Sequence, residues 1–261
     1  MNRIEKKFKQ LKKLKRKAFI AFITAGYPNL NTTKKLLLEF SKIGVDIVEL
    51  GVPFSDPMAD GPIIQESSQA ALKNGVNLLK ILHLVKEARK VTDMPICLMS
   101  YYNPIFCFPQ ERFIKQAKAA GVDGVIVPDL PPEEAGDFIK FANRSGLDII
   151  FFLAPTSTPK RMKLISQAAK GFIYYVSLTG VTGARRKLPA DIAKNLKLIK
   201  SLTDKPVCVG FGVSHSSQVR EISKVADGVI VGSAIVKKIK ENIRRPDLVK
   251  RTVNFVLNLK T

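Results

Sequence analysis

The sequence predicts a single α/β domain, a closed (β/α)₈ barrel, and three observations carry that expectation. First, eight short apolar runs recur along the 261 residues, at 19–25, 46–51, 96–102, 124–129, 148–154, 172–177, 207–211 and 228–232. Second, helical patterns lie between them, and strict alternation of strand and helix implies an all-parallel sheet. Third, the glycine-rich dinucleotide fingerprint is missing after the first run, where Thr24-Ala25-Gly26-Tyr27-Pro28 stands. Eight beats over this length favour a closed barrel over an open doubly wound sheet. No linker or composition shift divides the chain, so one domain is expected over residues 1–261.

The elements follow in order. Ile4, Phe8, Leu11 and Leu14 recur at helical spacing before the first run, an extra N-terminal helix suited to cover the barrel bottom. After the second run the connection, about residues 52 to 94, has room for a loop and two helices. A weak rhythm then appears: Gly44-Val45-Asp46, Gly121-Val122-Asp123-Gly124, Gly146-Leu147-Asp148 and Ala226-Asp227-Gly228 each close a helical pattern and open an apolar run. Glycine just past a helix suits the left-handed position that ends it. Pro109, Pro131 or Pro132, Pro159, Pro189 and Pro246 sit where helices should begin, and Thr158 and Ser214 are candidate N-caps.

Composition narrows the function classes. The longest apolar run, around 18–25, is strand-sized and far short of a membrane span. The basic N-terminus carries no apolar signal region, so a cytoplasmic location is expected. Cys97, Cys107 and Cys208 make no metal spacing, and the two histidines, His83 and His215, are too few for a histidine-built metal site. Cys97 and Cys208 fall within apolar runs and read as small core residues. The net charge is +21, from 43 lysines and arginines against 22 acidic residues. Such a field would draw nucleic acid, a membrane surface or a small anion. The lysines are spread over nearly every helical pattern rather than gathered in one stripe, which argues for a solvated shell over a nucleic-acid face.

Candidate chemistry concentrates after the second run. Glu49 interrupts the apolar stretch 47–50, and the chain then enters a Gly/Pro-studded loop with Asp56 and Asp60. A carboxylate inside a buried strand is costly unless paired or used. Glu49 therefore reads either as a proton-transfer group at the mouth of the core or as a strand-end residue over a solvated loop. If it points inward, Val45 and Ile47 share its face, while Val48 and Leu50 meet the helices. Asp129 precedes a helical pattern and is better suited to capping or bracing. Glycines crowd the ends of the last three runs, at 180–183, 210–212 and 232–233. Gly-Ser opening a helix after the eighth strand is a recurrent phosphate cradle of such barrels. Tyr101 and Tyr174 supply hydroxyls near strand ends, and Phe22 and Phe211 supply flat apolar walls.

At this level of detail the chain resembles the tryptophan synthase α-subunit family over essentially its full length. The likeness runs through Glu49-Leu50-Gly51-Val52-Pro53-Phe54-Ser55-Asp56-Pro57, Ala59-Asp60-Gly61-Pro62, Tyr101-Tyr102-Asn103-Pro104, Pro128-Asp129-Leu130-Pro131 and Gly180-Val181-Thr182-Gly183-Ala184-Arg185. The resemblance implies a lyase of tryptophan biosynthesis that splits indole-3-glycerol phosphate into indole and glyceraldehyde 3-phosphate without a cofactor of its own. It implies Glu49 and Asp60 as catalytic residues. Phe22, Tyr101, Tyr174, Thr182 and Phe211 would form the pocket, and Gly183, Gly212, Gly232 and Ser233 would hold the phosphate. Pro53, Asp56 and Asn103 would face a pyridoxal phosphate-dependent β subunit in an α₂β₂ heterotetramer. No nucleic-acid or membrane partner is implied. Other phosphate-binding barrels, such as indole-glycerol-phosphate synthase or phosphoribosylanthranilate isomerase, and a non-catalytic barrel that regulates a partner or binds nucleic acid, are the rival readings. The first of these uses a lysine at its catalytic centre, and no lysine stands at a strand end here. The high basicity departs from the family pattern.

Overall fold

The computed structural model of the protein describes residues 1–176, 190–210 and 212–260. Helix α1 (Arg3–Lys13) opens the chain, its N-cap Asn2 accepting from the Ile4 N–H at 3.2 Å. Ile4, Phe8 and Leu11 are buried along its inner stripe. Leu14, expected on that stripe, is instead the C-cap and is 56% exposed. The helix stops there because Lys15 turns left-handed (φ 52°) and the Arg16 N–H returns to the Leu11 carbonyl at 2.9 Å.

The barrel follows. Strands β1 (Ala18–Thr24) and β2 (Ile47–Gly51) flank helix α2 (Leu30–Lys42). Helices α3 (Pro62–Lys73) and α4 (Leu78–Arg89) fill the long connection to β3 (Ile96–Met99), as expected. Then come α5 (Tyr102–Phe106), α6 (Gln110–Ala120), β4 (Gly124–Ile126), α7 (Gly136–Ser145), β5 (Asp148–Ile150) and β6 (Phe152–Leu153). The chain continues through α8 (Pro159–Ala168), β7 (Ile173–Val176), α9 (Ala190–Leu202), β8 (Val207–Gly210), α10 (Ser216–Val225), β9 (Gly228–Val231), α11 (Ser233–Glu241) and α12 (Leu248–Lys260). The strands form one sheet in the order β5-β4-β3-β2-β1-β9-β8-β7-β6, all neighbours parallel.

The fifth apolar run thus appears as two strands. Its first half pairs with β4 and its second with β7, while the Ile149 and Phe151 carbonyls accept from Lys170 and Tyr174. Because β5 and β6 are one continuous run, the ring closes through it. The result is the expected (β/α)₈ barrel with an added helix at the start and another after the second strand.

Some boundaries moved for identifiable reasons. The third run ends at Met99 rather than 102, since Tyr102 begins α5 with its N–H bound by Asp129 at 2.8 Å. Thr158 and Pro159 start α8 as expected, the Thr158 hydroxyl accepting from the Arg161 N–H at 3.3 Å. Pro131 and Pro132 lie in a turn, and α7 begins only at Gly136. Pro109 and Pro246 stand before their helices rather than inside them, and Pro189 falls outside the described residues. The N-cap of α10 is His215 rather than Ser214; the Gln218 side chain accepts from both N–H groups, at 2.9 and 3.1 Å. Gly44, Gly121 and Gly146 take the left-handed conformation beyond their helices. Gly228 does not: a side chain there would meet the Cys208 sulfur at 2.7 Å.

Two apolar layers result. Ile20, Ile47, Cys97, Ile126, Ile150, Cys208 and Ile230 fill the barrel with α1 plugging one end, where Phe8 lies 6.0 Å from Phe172. Val48 and Leu50 face the surrounding helices, as does Val45, which precedes the paired part of β2 and so escapes its alternation. Among the described residues no helix is long and apolar enough to cross a membrane.

The sequence rhythm has a physical meaning at the strand starts. Asp46, Asp123 and Asp227 each precede a strand, and each carboxylate binds a backbone N–H of the neighbouring strand. The partners are Phe19 at 2.9 Å, Ile96 at 2.9 Å and Val207 at 3.1 Å. Asp123 also holds Arg89 at 2.5 Å and Arg3 at 3.1 Å. Its removal would leave the Arg89 guanidinium with carbonyl partners but no counter-charge, and would strand the buried Ile96 N–H. Asp123→Ala should therefore lose about 3–5 kcal/mol of unfolding free energy, measured by urea denaturation, and a loss below about 1 kcal/mol would contradict this account.

Candidate active site

The C-terminal strand ends gather the residues singled out in the sequence. Glu49, the third residue of β2, is 0% exposed, and neither carboxyl oxygen has a hydrogen-bond partner. In register it stands between Phe22 of β1 and Cys97 of β3. Ile47, two residues earlier, lies inside the barrel, so alternation sends Glu49 inward as well. Burial alone pushes its carboxyl up to about 8. The Cys97, Cys208 and Tyr174 side chains all lie within reach of its charge, and burial raises each of them.

Asp60 sits in the loop between β2 and α3. Burial pushes its carboxyl up to about 6, opposed by the Tyr101 hydroxyl. Tyr101 also accepts the Ala59 N–H at 2.8 Å, so one phenol positions the loop at both Ala59 and Asp60. Gln65 donates to the Asp60 carbonyl at 2.9 Å, and Ser67 joins Thr24 at 2.6 Å, tying α3 to the end of β1. The loop is therefore held on either side of the carboxylate, and the carboxylate itself is met by the Tyr101 hydroxyl. Tyr174, buried on β7, feels the charges of both Glu49 and Asp60, so the two acids lie within electrostatic reach of this one phenol at the barrel mouth.

Aromatic rings wall that mouth. A side chain on Gly51 would meet the Phe22 ring at 2.5 Å, and one on Gly210 would meet the Tyr174 hydroxyl at 2.5 Å, so each ring lies across the end of a neighbouring strand. Phe152 packs on Tyr174 with ring centroids 4.8 Å apart. Sequence reading missed Phe152 and the Thr24–Ser67 pair. The period-two pattern of 148–153 could have found the first; the second joins residues 43 apart and had no local signal.

The described part of the phosphate-shaped signal also falls here. β8 and β9 pair with Gly210 opposite Ile230, so the turns at Gly212 and Gly232 leave adjacent strands. Gly212 is left-handed at φ 74° and exposed; Gly232 caps α11, and Ser233, exposed, begins it. A side chain on Gly232 would touch Phe22 at 3.3 Å, placing this helix start beside the aromatic wall. Backbone N–H groups at such a start are an anion site. Thr182, Gly183 and Phe211 lie outside the described residues.

Pro53 and Asn103 line a separate cavity of about 340 Å³ with Phe54 and Leu78, on the outer side of the same rim. Asp56 is exposed on that loop, held by the Ser55 hydroxyl. Met58 and Phe106, 88% and 66% exposed, stand out nearby as large apolar side chains. Asp129 braces α5 from a neighbouring loop instead of capping its own helix. Among the described residues no three His, Cys, Asp or Glu side chains cluster as a metal site would require.

Comparison with known proteins gives the family of the chain. A family model described as tryptophan synthase alpha chain matches residues 8–260. The tryptophan synthase alpha chain of Geotalea daltonii is 53% identical over 241 residues, covering 92% of this chain and 91% of that one. That of Geotalea uraniireducens is 52% identical over 260 residues, covering 100% and 97%. Among solved structures, tryptophan synthase subunit alpha from Legionella pneumophila superposes with a TM-score of 0.92 at 36% identity, covering 99% of this chain and 97% of that one. A chain of the tryptophan synthase complex from Pyrococcus furiosus superposes with a TM-score of 0.85 at 40% identity, covering 93% and 97%. With fold and sequence in agreement over nearly the whole chain, the protein belongs to the tryptophan synthase alpha chain family.

Proposed function

We propose that this chain cleaves indole-3-glycerol phosphate to indole and glyceraldehyde 3-phosphate, using Glu49 and Asp60 as its catalytic pair. The observation that carries the proposal is the buried, partnerless Glu49 carboxyl at the end of the barrel where the Asp60 loop stands, with Tyr174 within reach of both charges. The bond to break joins C3 of the indole ring to the first glycerol carbon. It breaks only when C3 carries a proton and the ring can take back the bonding electrons. The hydroxyl on the departing carbon must lose its proton to become the aldehyde.

One group can serve both transfers. With its carboxyl pushed up to about 8, Glu49 is protonated at neutral pH and can give its proton to C3. As carboxylate it then takes the hydroxyl proton and is restored. General acid–base help of this kind is typically worth about a hundred- to ten-thousand-fold. Asp60, pushed up only to about 6, is mostly ionised at neutral pH and suits a different task. It would accept the indole N–H and stabilise positive charge as C3 is protonated. Two carboxyl groups with different surroundings thus divide acid and anion roles.

The aromatic walls of Phe22, Tyr101 and Tyr174, with Phe211, would hold the indole ring. Gly183, Gly212, Gly232 and Ser233 would hold the phosphate through backbone N–H groups, and Thr182 would close over Asp60 to exclude water. The chemistry needs no cofactor in this chain; the pyridoxal phosphate belongs to a β subunit that receives the indole. Pro53, Asp56 and Asn103 face that subunit in an α₂β₂ assembly, a reading supported by their shared rim and the exposed Met58 and Phe106 beside it. The setting for this pathway step is the cytoplasm.

Glu49→Gln should bind substrate yet release indole at least about 100-fold more slowly in an assay with the β subunit present; turnover near that of the parent would remove Glu49 from the reaction. The same variant tests the buried proton by thermal unfolding. Between about pH 4.5 and 8 the unfolded chain ionises this group while the folded chain keeps it protonated, so stability falls as pH rises through that window. Glu49→Gln should therefore raise the melting temperature, with a gain that grows from pH 4.5 to 8; an equal gain at both ends would place the carboxyl in water. Asp60→Asn should cut kcat about 100-fold while glycerol 3-phosphate still binds, and loss of that binding would mean the loop serves the phosphate instead.

A further inference from the structure

The strongly basic character of the chain finds no use in the chemistry at the barrel mouth, and at the opposite end it takes on a shape. A cavity of about 1230 Å³ opens between α1, along its whole length, and the loops that enter the strands. Its lining includes Lys17 before β1, Lys170 before β7 and Lys205 before β8, so it belongs to the floor of the barrel. The plug of α1 separates it from Glu49.

Eight lysine or arginine side chains line this cavity against four carboxylates. Two of the four are already matched, Glu5 by Lys9 at 2.6 Å and Asp227 by Lys17 at 3.4 Å and Lys200 at 2.9 Å. Asp148 is buried beneath the floor and Asp204 is exposed at its rim. Lys12, Lys15 and Arg16 are exposed, with no carboxylate or carbonyl partner for their side chains among the described residues, while the exposed Lys170 makes no ion pair but acts, with Lys118, on the buried Asp148 carboxylate. The C-terminal dipole of α1 would favour basic residues in its last turn, but it amounts to about half a charge and falls off within that turn. Lys170, contributed by a different element, is beyond its account. Like charges confined to one concavity repel one another and are tolerated best when an anion lies between them.

From this geometry we infer that the barrel floor carries a second anion site, built for a small molecule bearing several phosphate charges. The concave shape admits a compact ligand, whereas the convex surface of a duplex would touch only its rim. The aromatic platform that single-stranded nucleic acid uses is also missing: Phe8, the ring beside the cavity, is only 8% exposed and packed on Phe172. The mouth offers one phosphate cradle of backbone donors, while the floor offers several flexible cations and would prefer a multiply charged group.

The test is titration calorimetry of the full chain with inorganic tripolyphosphate at 0.15 M salt, with glycerol 3-phosphate saturating the mouth. One tripolyphosphate per chain is expected. Binding should weaken at least tenfold in K12Q/K15Q/R16Q and severalfold in K170Q, which alters the floor from an unrelated element. Indole release should stay at the parent rate in both variants. Absence of saturable binding, or unchanged affinity in both variants, would overturn the site. A duplex oligonucleotide binding more tightly than tripolyphosphate, with several chains per duplex, would overturn it in favour of nucleic acid.

Discussion

Alternation of side chains along a closed parallel sheet is the constraint from which the rest of this molecule follows. Successive residues on a strand must point to opposite faces, and in a barrel one of those faces has no exit. Once Ile47 fills the interior, Glu49 has to follow it inward, and Val48 and Leu50 must meet the helices. A carboxyl group is thereby placed where water cannot reach it and no hydrogen-bond partner waits for it. The fold itself supplies the raised proton affinity; no charged neighbour is needed. The cost of that burial is borne by a large apolar double layer.

Carboxylates elsewhere in the same barrel show how position decides chemistry. Asp46, Asp123 and Asp227 stand where strands begin, next to N–H groups that have no ladder partner yet, and they become structural ties. Glu49 stands inside a complete ladder, where every backbone donor beside it is already engaged. Asp60 is intermediate. Its loop is fixed by Tyr101, Gln65 and the Thr24–Ser67 contact, which leaves the carboxyl ordered and only partly desolvated. Tied and untied acids thus separate by the end of the strand they occupy. The mouth gathers glycines and the partnerless Glu49; the floor holds buried aspartates bound to backbone N–H groups beneath a rim rich in lysine.

Much of this was legible in the chain. The strand and helix alternation, the added N-terminal helix and the two helices after the second strand follow from hydrophobic period, and all stand in the structure. Glu49, Asp60, Phe22, Tyr101, Tyr174, Gly212, Gly232 and Ser233 do converge on one mouth, because barrel strands in parallel bring their C-terminal ends together. The errors share a cause. Leu14, Val45 and the start of α7 lie just beyond the paired or helical core of their elements, where a periodic pattern continues in the sequence after the hydrogen bonds have stopped. The split of the fifth run at Phe151 comes from a change of neighbour, which a single strand cannot encode.

By itself the sequence determined the class of fold, the order of its elements and the set of residues with chemistry to offer, since these depend on local period, turn residues and composition. Tertiary structure alone decided what those residues experience. The proton affinity of Glu49 comes from burial among β1, β2 and β3, and the hold on Asp60 comes from a phenol 41 positions away in the chain. Desolvation and proximity are properties of the space between elements, and no single element contains them.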